Sequence, residues 1–259
     1  MLVLLDNVTK SYAKGGVPAL KNVTFGIESG EMVLLYGPSG AGKSTLLKLI
    51  GGLEKPTEGK VYLDNKNISR LRSELLAEVR RREIGFLAAT EMIPVFTVQE
   101  NVELPLQLLK QGKAGERRER VKQLLIELGI NDCAGKKIGA LTPLQKAKTA
   151  LAVALIKGPV LVLVDEPTAR LDLASGLELF RIMAEINKKN KTTFLVASDD
   201  PALARHLTRT VKIYAGVIEG ERQPPAGLTM AKNSAVPIYD LKAMPDSALL
   251  INPAEGKNA

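Results

Sequence analysis

The sequence has no tryptophan, and aromatic residues make up only 4% of its 259 positions. The stacking platforms of a single-strand nucleic-acid binder are therefore scarce. There is one cysteine, Cys133, and one histidine, His206. One thiol cannot close an internal disulfide, which favours a reducing compartment, and metal sites built from Cys and His clusters are excluded. No stretch reaches the ~18 apolar residues of a membrane-spanning helix. The N-terminus MLVLLDNVTKSYAK lacks the basic start and long apolar run of a signal peptide. A cytoplasmic location is expected.

What is present is the profile of a folded protein: 45% hydrophobic, 25% charged, net charge +8. The length allows one large α/β domain or a core with an added lobe. A basic balance suits nucleic acid, an anionic nucleotide or the negative inner face of a membrane, and does not choose among them.

Along the chain, Leu2 to Leu5, Val23 to Ile27 and Met32 to Tyr36 read as strands split by Gly, Pro and Asn. A helix is expected from near Lys43 to Gly51-Gly52, and a strand at Val61 to Leu63. From about Leu71 to Leu155 the character is helical, with a break between helices at Pro94 to Pro105. Val160 to Val164 is short and continuously apolar, the mark of a strand buried on both faces of a parallel sheet. A helix at Ser175 to Asn187 and a strand at Thr192 to Val196 follow. This order suggests a mostly parallel core with an inserted helical lobe. After about Gly220 five prolines interrupt a chain with little periodicity, which reads as a loosely ordered extension.

The segment Gly37-Pro38-Ser39-Gly40-Ala41-Gly42-Lys43-Ser44 matches G-x-x-x-x-G-K-[ST], follows an apolar strand and opens a helix. The glycines let backbone N–H groups turn toward phosphate oxygens, and the helix N-terminus adds partial positive charge there. Lys43 is placed to bridge β- and γ-phosphates, and Ser44 to ligate Mg²⁺ with Thr45 beside it. The strand Val160 to Val164 runs into Asp165-Glu166. An acid at the end of a buried strand needs a partner. Mg²⁺ supplies one for Asp165, and Glu166 is placed to orient or deprotonate a water.

These residues resemble the ATP-binding subunits of ABC transporters, most of all the lipoprotein-release and macrolide-export type. The likeness runs from about Leu2 to Gly220. It rests on Lys10-Ser11-Tyr12, the segment Gly37 to Leu46, Pro56 to Gly59, Thr97 to Leu106, Asp165-Glu166-Pro167-Thr168, Leu171-Asp172 and Asp200 to Ala204. The resemblance implies a P-loop NTPase core of the ABC ATPase type, α/β in class, with an N-terminal antiparallel β portion and a helical lobe at about 71–155. It gives residues 1–220 as the nucleotide-binding domain and 221–259 as an extension. It implies ATP and Mg²⁺ as cofactors, and Tyr12 as the residue that stacks on adenine. Leu171-Asp172 would face a second ATP-binding subunit, in a homodimer or heterodimer. The lobe would dock on a membrane permease, placing the chain peripherally on the inner face of the membrane.

Three positions depart from the family pattern. The signature Leu-Ser-Gly-Gly-Gln aligns with Leu141-Thr142-Pro143-Leu144-Gln145. Thr142 keeps a hydroxyl and Gln145 is retained, but Pro143 has no N–H and Leu144 adds bulk. The glutamine that contacts Mg²⁺ and water falls on Ala89, and the switch histidine on Asp199. An ionised Asp at ~4 Å from γ-phosphate, at an effective dielectric near 20, is repelled by about 4 kcal/mol. Loss of one well-placed transition-state contact commonly costs ~10²–10³ in rate. The expectation is retained ATP binding with slow hydrolysis. The alternatives are a non-hydrolysing nucleotide-binding subunit of such a complex and a phosphoryl-transfer kinase. Arg80 to Arg82 and the basic stretch Lys113 to Lys122 raise nucleic-acid binding, but charge runs of this kind are usually solvated helix faces, and no nucleic acid is expected.

Overall fold

The computed structural model describes residues 1–13, 15–87, 92–200, 203–204 and 207–222. Ala89, His206 and the tail beyond Arg222 lie outside them. The chain order begins β1 (Val3–Lys10), β2 (Leu20–Ile27), β3 (Met32–Tyr36), α1 (Lys43–Ile50), β4 (Glu58–Leu63), β5 (Lys66–Asn67), α2 (Ser73–Glu83) and β6 (Ile84–Leu87). It continues α3 (Val98–Leu108), α4 (Ala114–Glu127), α5 (Pro143–Leu155), β7 (Leu161–Asp165), α6 (Leu173–Asn190), β8 (Thr193–Ser198), β9 (Arg209–Tyr214) and β10 (Val217–Arg222).

Two sheets organise these elements. The first is antiparallel, in the order β2-β1-β4-β5. The second has the order β10-β9-β3-β8-β7-β6, parallel throughout except for the β9–β10 hairpin. Successive residues of its central strands point to opposite faces. Val33, Leu35, Leu161, Leu163 and Leu195 join one buried cluster with α1 and the antiparallel sheet. Leu34, Val162, Val164, Phe194 and Val196 join the other, with α3 to α6. That double burial explains why these strands are apolar without alternation. The fold is the α/β P-loop arrangement with an N-terminal antiparallel sheet, as the sequence indicates.

Four local readings change. The stretch 71–155 is not wholly helical, because β6 pairs in parallel with β7 inside the core sheet. Gly85 is needed in that strand, since a Cβ there would lie 2.6 Å from the Ala154 carbonyl oxygen of α5. Pro105 does not separate helices but sits within α3. An internal proline costs a helix about 3 kcal/mol. Burial of Val98, Val102 and Leu106, each of the order of 1.5–3 kcal/mol, holds the helix through it. Val160 is 43% exposed and precedes the strand, which begins at Leu161. The regular pattern also continues past Gly220, because β10 runs to Arg222.

Candidate functional site

The C-terminal ends of β3 and β7 flank that of β8, and each leads directly into a predicted site segment. β3 ends at Tyr36 and gives way to the loop Gly37–Gly42, then to α1. Two glycines of this loop are dictated by their surroundings. A Cβ on Gly37 would lie 2.1 Å from the Ile213 carbonyl oxygen of β9. Gly42 has φ +104°, and a Cβ there would lie 2.6 Å from the Ala19 carbonyl oxygen. The loop is tied from below, where the Gly216 N–H donates to the Ala41 carbonyl at 3.0 Å. Pro38, Ser39 and Gly40 form an exposed crest. Gly42 is the N-cap of α1, with no side-chain cap and no acidic residue in the first turn. The orphan N–H groups and positive dipole end of this helix are thus uncompensated by the protein itself, the condition for holding an anion.

Lys43 is buried, at 6% exposure. Its ammonium donates to the carbonyls of Gly37 at 2.7 Å and Pro38 at 3.2 Å, and lies 3.2 Å from Glu166 Oε1. Ser44 is exposed and Thr45 half-buried at the start of α1. Asp165 ends β7, opposite Ala197 of β8. Its Oδ1 is buried without a hydrogen-bond partner. Glu166 turns sharply out of the strand, with φ +45°, and its N–H donates to the Ala197 carbonyl at 3.0 Å. Positive φ is unfavourable for a residue of this type and is held by the surrounding structure. Glu166 Oε2 accepts from the Ser198 hydroxyl at 3.2 Å, and the Asp200 N–H donates to that hydroxyl at 3.2 Å. The Gly37 N–H completes the link to the Ser198 carbonyl at 3.3 Å. Ser198 is a site residue that sequence reading missed. Its only signal was a polar residue closing a buried strand.

Tyr12 is 61% exposed, and its hydroxyl meets Thr45 Oγ1 at 3.3 Å, beside the first turn of α1. Asp199 is exposed at the end of β8.

The aligned signature segment is a well-formed helix start. The Gln145 N–H donates to Thr142 Oγ1 at 3.2 Å, and the Thr142 N–H donates to Gln145 Oε1 at 3.0 Å. This reciprocal capping box is followed by Pro143 at the first helical position, where a missing N–H removes no intrahelical bond. Leu144 packs against the lobe cluster. It is partly buried there. Leu171 also packs there, and Asp172 caps α6 through the Ser175 N–H at 2.9 Å. Hydrogen bonds from Ser175, first its backbone N–H, hold the Asp172 carboxyl below the ordinary carboxylate range.

No group of three or more Asp, Glu, His or Cys among the described residues is arranged to hold a metal. That does not disfavour Mg²⁺ here. Mg²⁺ keeps several waters and is held by one or two protein oxygens plus substrate phosphates. The orphaned Asp165 Oδ1 and the exposed Ser44 hydroxyl fit such a donor set.

The sequence matches the family model described as ABC transporter over residues 20–169. It is 38% identical over 228 residues to an uncharacterised ABC transporter ATP-binding protein of Methanocaldococcus jannaschii, MJ0796, covering 86% of this chain and 97% of that protein. It is 37% identical to YvrO, an uncharacterised ABC transporter ATP-binding protein of Bacillus subtilis, covering 83% of this chain and 94% of that one. The fold matches the dimeric MJ0796 cassette in a post-hydrolysis state bound to ADP and phosphate, with a TM-score of 0.79 over 86% of this chain and 98% of that structure. It also matches cbiO1 of Clostridium perfringens, described as part of a transporter complex, with a TM-score of 0.78, 26% identity and coverage of 86% and 88%. The chain therefore belongs to the ATP-binding proteins of the ABC transporter family.

Proposed function

We propose that the chain is the ATP-binding subunit of a membrane transporter of the lipoprotein-release or macrolide-export type, coupling slow Mg²⁺-dependent ATP hydrolysis to a permease. Residues 1–220 serve as the nucleotide-binding domain, and residues 221–259 as an extension. The observation that carries the reading is the meeting of Lys43, Asp165 and Glu166 where β3 and β7 end, with Lys43 and Glu166 3.2 Å apart. Lys43 holds the polyphosphate, and the Gly37–Gly42 backbone with the start of α1 surrounds it. Ser44 and Asp165 hold the Mg²⁺, whose charge offsets that of the phosphates. Glu166, released from Lys43 when phosphate takes its place, orients or deprotonates the attacking water.

Slow turnover follows from the signature segment. A partner's γ-phosphate meets Pro143, which has no N–H to give, and Leu144, whose side chain adds bulk where close backbone approach is wanted, while the Thr142 hydroxyl, which accepts from the Gln145 N–H, keeps its own O–H to donate. Asp199 adds negative charge where a donor is wanted. Dimerisation with a second ATP-binding subunit and peripheral attachment to the inner face of the membrane complete the proposal. No helix among the described residues is long and apolar enough to cross a membrane.

The same departures favour a second reading, a non-hydrolysing nucleotide-binding subunit. Phosphate release by the assembled complex, compared with its Glu166→Gln variant, separates the two. The enzyme reading expects a loss of about 10²-fold or more in the variant. Equal release from both would sink the enzyme reading, and release at background level in both would favour the non-hydrolysing one.

A further inference from the structure

The end of β1 carries a polar assembly that the nucleotide chemistry above does not use. Lys10 is largely covered, with its side chain 15% exposed. Its ammonium donates to the Lys55 carbonyl at 2.9 Å, pairs with Glu54 Oε2 at 3.2 Å, and sits over the Tyr12 ring 5.0 Å from the centroid. Glu54 is also 3.6 Å from Lys48 on α1. Burial alone would raise the Glu54 carboxyl, but contacts from Tyr12 and Lys10 and the charges of Lys10 and Lys48 outweigh it and hold it below the ordinary range. The backbone is fixed as well. The Ser11 N–H donates to Thr57 Oγ1 at 3.0 Å, and the Thr57 N–H donates to the Thr9 carbonyl at 2.9 Å.

Every anchor of Lys10 thus lies on the segment that leaves the phosphate helix, and every anchor holds the ammonium against one aromatic ring. Tyr12 is itself 61% exposed. A fixed cation on one face of a ring, with most of the residue open to solvent, is more than a surface ion pair needs. We propose that Lys10 is a positioning residue for the nucleobase. Its ammonium, held by Glu54 and the Lys55 carbonyl, clamps one face of Tyr12 and presents the other to the purine of a bound nucleotide. The proposal rests on Tyr12 being the base-stacking residue. The cation attracts the ring's electron-rich face and limits its rotation, so the ring is ordered before the base arrives.

The test is equilibrium binding to the full chain with Mg²⁺ present, using ATP and inorganic tripolyphosphate as separate probes. The proteins are the wild type, Lys10→Met, Lys10→Arg, Tyr12→Leu and the Lys10→Met/Tyr12→Leu pair. Lys10→Met is expected to weaken ATP about fivefold, the order of an exposed cation–π contact, and to leave tripolyphosphate unchanged. Lys10→Arg is expected to keep ATP affinity, and the double variant to bind ATP no more weakly than Tyr12→Leu. Equal weakening of both probes by Lys10→Met would overturn the proposal in favour of a general charge effect. So would full ATP affinity in Lys10→Met alongside weakening in Tyr12→Leu. If Tyr12→Leu alone leaves ATP affinity intact, base stacking on Tyr12 fails, and the role of Lys10 falls with it. The phosphate-loop reading is unaffected, because it is the tripolyphosphate arm that reports on it.

Discussion

Lys43 illustrates how much of the site is set by single side chains. A buried ammonium must be satisfied, and here two loop carbonyls and Glu166 do so. In the proposed function, polyphosphate competes with Glu166 for this ammonium, so nucleotide binding would release the carboxylate. Lys157 shows the opposite case, a cation with little support. Burial lowers its pKa from 10.5 to about 8, and its ammonium donates to the Arg80 carbonyl at 2.7 Å. With the folded pKa below the unfolded one, the unfolded chain binds more protons between about pH 8 and 10.5, so stability rises with pH across that window. Below it the burial penalty is present in full. Thermal unfolding of wild type and Lys157→Met from pH 7 to 10 checks this. The wild type is expected to gain on the variant as pH rises, and a constant difference would contradict it.

At the scale of elements, the start of α5 is stabilised in a way that suits its own subunit. The capping box of Thr142 and Gln145, Pro143 at the first position and the packing of partly buried Leu144 against the lobe cluster all favour the helix. Thr142→Ala is expected to lower stability by about 1 kcal/mol, a fall of roughly 2–4 °C in Tm for a chain this size. Differential scanning calorimetry checks it, and an unchanged Tm would show the cap to be dispensable. This local chemistry was only half legible. Pro143 and Leu144 stood out in the sequence as losses of donors and of space for a partner. Their gain to this helix needed the capping geometry. The same division runs through the fold. β3 and α1 were readable because five apolar residues, a glycine loop and a leucine-rich helix each have a distinct period. β6 was not, because four residues after an arginine-rich helix carry no period of their own. Its strand character comes from pairing with β7 and from the close approach of α5 at Gly85. The β9–β10 hairpin was missed although Val211 and Ile213 alternate with exposed residues as in a half-covered strand, because both strands are short and β10 is largely polar. Ser198 and the contact between Lys43 and Glu166 depend on strand order and on the positive φ of Glu166, neither of which spacing reveals.

At the scale of the whole molecule, the two sheets share one apolar layer with α1, and α3 to α6 cover the other face of the parallel strands. This leaves the C-terminal strand ends as the place where charge can gather without apolar cover, and there the lysine, both acids and the glycine loop converge. Two solved MJ0796 cassettes that share this fold are dimers, with TM-scores of 0.79 and 0.80. A chain with an intact phosphate loop and an altered signature segment would bind nucleotide through its own loop and contribute less to a partner's. The central claim, that Gly37 to Thr45 with Asp165 forms a Mg²⁺–polyphosphate site, is tested most directly by calorimetric titration of Mg²⁺–ATP into the wild type and Lys43→Ala. Affinity is predicted to fall at least about tenfold in the variant, a difference of about 1.4 kcal/mol. Equal affinity in a folded Lys43→Ala protein would contradict the account.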